Sequence, residues 1–284
     1  MPQKTLAGSF ELKGISLHSG KQVSMEFGPA PEGTGIVFIV GAPDGLHRLC
    51  PRPDAVGATE LATTISDGVQ SVSTIEHVLA GLRGMDVDNA AIHVEGGEVP
   101  ILDGSAKLVV QGLLGCGFVE QDAPRTASRV ARPFSHAEGA KRIDAEPFDG
   151  FRVDYTIRFD HPAIGTQRFC IDVEPGAFAG QVACARTFGF LKDVEYLRSH
   201  GLARGGSLES VVVVGDEGVV NPGGLRYPDE FVRHKILDFI GVMAMLGRPL
   251  MGAFRVECSG HAFNNAFLRR LAAEPGALEA VTLG

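Results

Sequence analysis

Hydrophobic and polar positions alternate in the first third of the chain, and turns rich in glycine and proline separate the alternating stretches. Residues Gln22 to Phe27 alternate, the sequence GPAPEGTG from Gly28 to Gly35 is typical of a turn, and an apolar stretch continues from there to Val40. Alternation with a period of two places every second side chain on the same face of a strand. The pattern therefore predicts that this part of the chain is rich in β-sheet.

The spacing of apolar residues then becomes helical. It predicts one helix from Ser73 to Leu82, with Gly84 suited to end it, and a second helix from Ala106 to Leu114 that ends at Gly115. A strand is predicted between them, from Ala90 to Glu95. This part of the chain thus combines strands with helices.

The second half repeats the scheme of strands followed by helices. In chain order the predicted elements are strands Val153 to Phe159 and Phe169 to Val173, a helix from Phe190 to His200, a hairpin in VVVVGDEGVV, a long helix from Asp229 to Leu246, a strand from Ala253 to Glu257 and a helix from about Asn264 to Glu274. Two successive halves of this kind predict an α+β fold made of two similar units that pack on each other.

A domain boundary is predicted at DAPRTA, from Asp122 to Ala127. This segment is polar, contains one proline and has no apolar period. We therefore expect an N-terminal domain over residues 1–122 and a C-terminal domain over residues 128–284.

Composition and charge exclude several classes of function. The chain has 284 residues, of which 44% are hydrophobic, and its net charge is −8 at pH 7. No run of Lys or Arg could follow a phosphate backbone, so a nucleic acid is not expected as a partner. The five cysteines include no C-x-x-C pair, which argues against a disulfide framework and against a thiolate zinc site.

The sequence also gives an expectation for the location of the protein. The N-terminus lacks the apolar segment of a secretory signal, and the longest apolar stretch, Phe239 to Leu246, is far shorter than the roughly 20 residues that span a bilayer. We expect a soluble, cytoplasmic protein without stable membrane insertion. Because no feature indicates an oligomer, we expect a monomer.

The predicted helix FVRHKILDFIGVM contains the most informative pair of polar residues. His234 and Asp238 are four residues apart, so they lie on one face of the helix, one turn from each other. Asp238 stands in an apolar run, and a buried carboxylate is costly unless it is paired, hydrogen-bonded or bound to a cation. A His–Asp pair on a solvent-exposed helix face remains an alternative. The spacing of His234 and Asp238, taken alone, would favour that alternative.

A second candidate is the sequence SVSTIEH, where Glu76 and His77 are adjacent at the start of a helix. Ser73 and Glu76 have the spacing of a capping box, in which the Glu side chain binds the N-cap amide. Capping would explain the presence of Glu76 but not that of His77. A lone histidine, however, is more often a packed or surface residue than a metal ligand.

Together the two segments predict a metal site. His77, His234 and Asp238 would hold Zn²⁺ and leave the fourth position to water, which is the usual ligand set of a catalytic zinc site. Glu76, next to a ligand, would then be the general base.

Two further segments contain candidate side chains. The sequence CSGHAFNN places His261 in a predicted loop between a strand and a helix, from which it could reach a cleft. The sequence ARTFGF offers the Thr187 hydroxyl beside Phe188, a weak signal when taken alone.

These stretches closely resemble the zinc-dependent UDP-3-O-acyl-N-acetylglucosamine deacetylase family of lipid A biosynthesis. The resemblance covers nearly the whole chain in the order of the family. The matching segments are GISLHSGK, GPAPEGTGIVF, SVSTIEHVLAGL, VDNAAIHVEGGEVPILDGSA, FDHPAIGTQRF, ARTFGFLKDVEYLRSHGLARGGSL, DEFVRHKILDFIG and SGHAFNN. The resemblance implies two similar domains, packed so that their helices lie between the two sheets.

The resemblance also implies a role for each candidate side chain. His77, His234 and Asp238 are the implied zinc ligands, and Glu76 is the implied general base. Further catalytic roles fall to Lys235, which stabilises charge, to Thr187, which helps to bind the oxyanion, and to His261, the cationic partner or acid. Residues implied near the UDP-linked acylated amino sugar are Phe188, Phe159, Lys141 and Asp193, and an apolar passage for the acyl chain is expected in the second domain.

Two positions depart from the family pattern. Val242 replaces an aspartate that would keep His261 protonated, so less imidazolium is expected at neutral pH. Cys258 replaces a lysine near the substrate phosphates, which suggests weaker nucleotide binding or a changed substrate. Two alternatives therefore stay open besides the deacetylase, namely a paralogue acting on another N-acylated nucleotide sugar and a catalytically weak regulatory homologue that keeps the metal.

Overall fold

The structure is a computed structural model that describes residues 1–42, 45–58 and 62–284. Its described part contains six α-helices: α1 (Glu76–Gly84), α2 (Lys107–Cys116), α3 (Pro175–Gln181), α4 (Leu191–Ser199), α5 (Glu230–Met243) and α6 (His261–Ala273). Short 3₁₀ turns lie at Pro53–Ala55 and Ala244–Leu246. None of these helices combines the length and the hydropathy needed to cross a membrane.

The first part of the chain forms a five-stranded sheet in the order β2-β3-β9-β4-β5, with smaller sheets beside it. The strands of this part are β1 (Pro2–Leu6), β2 (Phe10–Ile15), β3 (Gln22–Pro29), β4 (Ile36–Ala42), β5 (Gly45–Leu49), β6 (Val56–Ala58), β7 (Thr64–Ser66), β8 (Ser71–Val72), β9 (Ala90–Glu95) and β10 (Phe118–Pro124). In the central strand β9, Ala90, Ile92 and Val94 are buried while His93 and Glu95 are exposed. The predicted alternation therefore places one face of this sheet in the core.

The second part forms a seven-stranded sheet in which β19 is the central strand. Strands of this part are β11 (Thr126–Val130), β12 (Phe134–Glu138), β13 (Lys141–Glu146), β14 (Phe151–Arg158), β15 (Thr166–Asp172), β16 (Phe188–Phe190), β17 (Val212–Gly215), β18 (Gly218–Val219), β19 (Leu250–Glu257) and β20 (Leu278–Thr282). β19 pairs with β11, β13 and β14, and β16, β17 and β18 form a separate small sheet that includes the predicted hairpin.

Helices α1, α2 and α5 lie between the two large sheets. α2 contacts β2 of the first sheet, α1 contacts both α2 and α5, and α5 contacts β14 and β15 of the second sheet. The predicted α+β class is therefore confirmed. Each sheet takes its strands from one side of Arg125 only; the domain limits 1–122 and 128–284 stay a prediction.

The close crossing of α1 and α5 depends on one glycine. α5 is buried on nearly all sides, which is typical of a helix in the centre of a core. A Cβ added to Gly241 would lie 2.1 Å from the carbonyl oxygen of Glu76 and 2.8 Å from its carbonyl carbon. Because these are backbone atoms, the two helices would have to move apart to accept any side chain at this position.

We expect Gly241→Ala to destabilise the protein by about 1–3 kcal/mol, since the added methyl group overpacks the helix crossing. The measurement is the free energy of unfolding in urea. Gly180→Ala is the matched control, because Gly180 is also helical and an added Cβ there meets no atom within 4 Å. Equal unfolding free energies for the wild type and Gly241→Ala would contradict the close approach of the helices.

Candidate metal and catalytic site

The crossing of α1 and α5 brings His77, His234 and Asp238 together. All three are buried, and one potential ligand atom from each lies within 4.8 Å of the others. The Oδ1 atom of Asp238 is 3.6 Å from Nε2 of His77 and 3.3 Å from Nε2 of His234. The pair on α5 thus has the predicted spacing on one helix face, and that face is in the core rather than in solvent.

The hydrogen bonds of the cluster fit a bound cation. The Oδ1 atom of Asp238 is buried and has no hydrogen-bond partner among the described residues. A buried polar atom left without a partner costs about 1–3 kcal/mol, so a cation at this position would remove a penalty. The Nδ1 atom of His234 lies 3.1 Å from the carbonyl oxygen of Ala185. A proton on Nδ1 donated to that oxygen leaves the lone pair of Nε2 facing the cluster, as a metal ligand requires.

The charges in the cluster follow from burial and from its neighbours. Burial disfavours the imidazolium and lowers the pKa of His234 to about 3, so this ring is neutral near pH 7. Burial acts in the same direction on His77, but Asp238 and Glu76 outweigh it and raise the pKa of His77. Burial opposes ionisation of Asp238, yet the adjacent histidines and Lys235 hold the pKa of this carboxyl well below its usual value. Asp238 is therefore ionised and can serve as an anionic ligand.

Glu76 is the first residue of α1 and is 3% exposed. Its Oε2 atom accepts a hydrogen bond of 3.0 Å from the backbone N–H of Thr63, and the Ser73 hydroxyl donates instead to the carbonyl oxygen of Gly97. The predicted capping box is therefore wrong, because the helix starts at Glu76, with Ile75 as its N-cap, and not three residues earlier. Capping does not explain why a carboxylate is buried here.

His261 joins the same site from α6. It is the first residue of that helix, so its predicted position in a loop is wrong. Its Nε2 atom is 3.6 Å from Oδ2 of Asp238, and its Nδ1 atom is 3.5 Å from the Thr63 hydroxyl. Thr63 thus contacts both Glu76 and His261. Thr63 could not be identified from the sequence, because a backbone N–H makes its contact with Glu76 and every residue except proline carries that group.

Lys235 and Thr187 lie at the edge of the cluster. The Nζ atom of Lys235 is 2.9 Å from Oδ2 of Asp238 and 5.3 Å from the centre of the Phe188 ring. The backbone N–H of Thr187 donates to the carbonyl oxygen of Gly104, which ties this segment to the first part of the chain. Thr187 is half-buried and lines a cavity beside the site.

The predicted substrate-binding residues fall into two groups. Phe188 lies with its ring centre 6.3 Å from that of His234, and Phe159 packs against Phe188 at 5.7 Å. Lys141 is exposed at the start of β13, and Asp193 is exposed in the first turn of α4. The structure thus places the aromatic pair beside the cluster and the two charged residues on the surface.

A cavity of about 500 Å³ adjoins Thr187 and Phe188. This volume lies in the usual range for ligand pockets. The wall is mostly aliphatic, but His18 is an exception, since both of its ring nitrogens are buried and lack hydrogen-bond partners among the described residues. Its backbone N–H donates to the Glu98 carboxylate at 2.7 Å. The sequence analysis did not identify His18, because no spacing relates it to the other candidates.

The two departures from the family pattern have different surroundings. Val242 is fully buried in α5, and Asp238 supplies the carboxylate that faces His261. Cys258 has a φ of +50°, and its Sγ atom lies 3.8 Å from Nη1 of Arg158. A positive charge is therefore present beside position 258, although residue 258 itself carries none.

Comparison with known proteins gives a consistent result. Residues 3–273 match the family model described as LpxC, UDP-3-O-acyl N-acetylglycosamine deacetylase. A protein from Oleidesulfovibrio alaskensis named UDP-3-O-acyl-N-acetylglucosamine deacetylase is 55% identical over 271 residues, which cover 95% of this chain and 89% of that protein. A protein of the same name from Nitratidesulfovibrio vulgaris is 54% identical, with 95% of this chain and 88% of that protein covered. Another, from Lawsonia intracellularis, is 51% identical, with 100% of this chain and 92% of that protein covered. The resemblance seen in the motifs is thus confirmed, and the chain belongs to the UDP-3-O-acyl N-acetylglycosamine deacetylase family.

Proposed function

We propose that this chain is a zinc-dependent enzyme that hydrolyses the N-acetyl group of UDP-3-O-acyl-N-acetylglucosamine, with release of acetate, in lipid A biosynthesis. The observation that carries the proposal is the buried cluster of His77, His234 and Asp238 with the Glu76 carboxylate next to it. Family membership gives the reaction class, and the names of the relatives give the substrate. A cytoplasmic location and a monomeric state remain predictions.

Two imidazoles and one carboxylate form the ligand set that we propose for Zn²⁺. This set is common in catalytic zinc sites, and the Oδ1 atom of Asp238, which has no hydrogen-bond partner in the described part of the chain, supports it. When bound, Zn²⁺ supplies a Lewis acid and lowers the pKa of a bound water to about 7. His234 is oriented for this role by the carbonyl oxygen of Ala185.

Glu76 is the proposed general base. The N–H of Thr63 holds one oxygen of its carboxylate, so the side chain is oriented before the substrate arrives. In the reaction, Glu76 takes a proton from the water that attacks the acetyl carbonyl. A base at hydrogen-bonding distance from the proton that it removes contributes about 10²- to 10⁴-fold to the rate.

The proposed stabilisation of the oxyanion comes from Thr187 and Lys235. A hydroxyl donor placed where negative charge develops is worth about 3–4 kcal/mol. Lys235 already contacts Oδ2 of Asp238, so its positive charge faces the same site. His261 can protonate the leaving amine, and Glu76 can do so by returning its proton. The distance of 3.6 Å between Nε2 of His261 and Oδ2 of Asp238 supports this role for the histidine.

The cavity beside Thr187 supports an acylated substrate. Its mostly aliphatic wall would bury a hydrocarbon chain, which is favourable by about 0.8 kcal/mol for each CH₂ group. We propose that the acyl chain binds there. Phe188 and Phe159 would then contact the sugar or the start of the chain. For Lys141 and Asp193, a role near the nucleotide or the sugar stays a prediction.

One other activity has an observation in its favour. Val242 and Cys258 both depart from the family pattern, which would suit a paralogue that acts on a different N-acylated nucleotide sugar. Arg158 lies beside Cys258, but its Nη1 atom is already 3.0 Å from the Glu257 carboxylate, so it does not supply an unpaired cation at this position.

The test measures the zinc content of the purified protein together with acetate release from UDP-3-O-acyl-N-acetylglucosamine. The matched substrate is UDP-N-acetylglucosamine, which lacks the acyl chain. We expect bound zinc and faster release from the acylated substrate. Zinc without acetate release would favour the regulatory homologue, and release from other N-acetyl sugars alone would favour the paralogue. Protein that does not bind zinc would contradict all three.

A further inference from the structure

The floor of the cavity is one face of the small sheet formed by β16, β17 and β18. Gly189 in β16 pairs with Val213 in β17, and the residues before and after Gly189 pair with Val212 and Val214. Because side chains alternate along a strand, positions 189 and 213 share one face. Val213 lines the cavity, whereas Val212 and Val214 are buried in the core. A side chain at position 189 would therefore point into the cavity.

Helix α4 covers this face. Leu191, Val194 and Leu197 of the helix line the cavity from the other side. Leu191 and Leu208 line it as well but are 51% and 42% exposed, so the cavity opens to solvent past apolar side chains. The space between sheet and helix thus has mostly apolar walls and an apolar rim.

Neither the backbone nor the packing requires glycine at position 189. Its φ lies outside the left-handed range that favours glycine, and, apart from its neighbours in the chain, an added Cβ meets no heavy atom of a described residue within 4 Å. Glycine inside a strand also weakens that strand, because it has no side chain to pack. With backbone conformation and packing excluded, one effect of Gly189 is left: it keeps open a space that any other side chain would fill.

We propose that Gly189 determines substrate specificity by setting the width of the cavity, and that this width makes the enzyme selective for a long, straight acyl chain. The inference rests on the proposed function, because it takes the acyl chain of the substrate as the occupant. A chain held between Gly189 and α4 would lie over the glycine, and its end would leave past Leu191. A side chain at position 189 would block the passage without touching the catalytic residues.

The experiment compares kcat/KM for UDP-3-O-acyl-N-acetylglucosamines with butanoyl and tetradecanoyl chains. In the wild type, each buried CH₂ group should raise kcat/KM about fourfold until the cavity is full. We expect Gly189→Val to lower kcat/KM for the tetradecanoyl substrate by about 10- to 100-fold, the loss for two or three displaced CH₂ groups. The butanoyl substrate should be affected less than about twofold. Gly41→Val is the matched control, since Gly41 lies in β4, outside the cavity wall, and an added Cβ there meets no atom of the described residues within 4 Å.

The butanoyl and tetradecanoyl substrates together distinguish the possible results. An equal loss for both chain lengths, or no loss for either, would overturn the role of Gly189. If the wild type releases no acetate from either substrate, the proposed function is wrong. Calorimetric binding of the tetradecanoyl substrate then tests the cavity, and Gly189→Val should weaken that binding by the same factor. Equal binding by the wild type and the variant would also overturn the inference.

Discussion

Replacing Glu76 with glutamine should lower kcat by about 10²- to 10⁴-fold and leave the zinc content unchanged. Glutamine has the size of glutamate and retains an oxygen that can accept the N–H of Thr63, so the local structure should persist. It cannot take a proton from water at neutral pH. His77, which is adjacent in sequence, keeps its position in α1 and its contact with Asp238. The measurement is single-turnover acetate release, together with metal analysis of the same sample.

Two further variants make this result specific. Glu26→Gln removes a carboxylate that is exposed on β3 and should leave kcat unchanged. Asp238→Asn removes the anionic member of the cluster and should lower zinc content as well as rate. If Glu76→Gln kept more than about a hundredth of the wild-type kcat, the assignment of the general base would be wrong, because such a base is worth at least 10²-fold.

Replacing Glu230 with alanine should lower the free energy of unfolding by about 3–5 kcal/mol, the usual cost of removing one partner from a buried ion pair. Glu230 is 0% exposed at the start of α5. Its carboxylate accepts hydrogen bonds from the guanidinium and backbone N–H of Arg186 and from the backbone N–H of Arg226. Without it, the charge of Arg186 would be buried and unpaired. The measurement is urea unfolding.

An exposed ion pair is the matched control for this prediction. Arg152 and Asp172 form two hydrogen bonds on the surface of the second sheet. Since exposed pairs contribute little, Asp172→Ala should cost less than about 1 kcal/mol. If Glu230→Ala also lowered the free energy of unfolding by less than about 1 kcal/mol, the buried ion pair would not be needed to hold the segment that precedes Thr187. A large loss of unfolding free energy would show that the ion pair also supports the site. Ala185 is next to Arg186, and its carbonyl oxygen contacts His234.

Much of the fold could be predicted from the pattern of the sequence. The alternation in β9 and the helical spacing in α5 both depend on local periodicity, and the structure retains them. The short helix α3 was not predicted, because Pro175–Gln181 contains few apolar residues and no repeated spacing. The close contact of Gly241 with Glu76 also has no local signal, since it depends on where another helix crosses.

Less of the candidate site than of the fold could be predicted from the sequence. His234 and Asp238 could be paired by their spacing in one helix, whereas no spacing related His77 to them, and it was joined to the pair only because two imidazoles and one carboxylate are the usual ligand set of a catalytic zinc site. The capping box was a wrong interpretation because the helix starts at Glu76, a boundary that the pattern does not fix. Thr63 and His18 act through a backbone N–H and through buried ring nitrogens, which sequence spacing does not encode.

Because the cluster takes its residues from two helices, a bound ion would also affect the stability of the whole chain. His77 comes from the first half, and His234 and Asp238 come from the second. An ion bound by all three would form a cross-link between the halves, comparable in effect to a disulfide bond. Its binding free energy would add to the free energy of unfolding, by RT ln(1 + [L]/Kd) at free metal concentration [L]. The melting temperature would then report metal affinity directly, even for a variant that has lost all turnover.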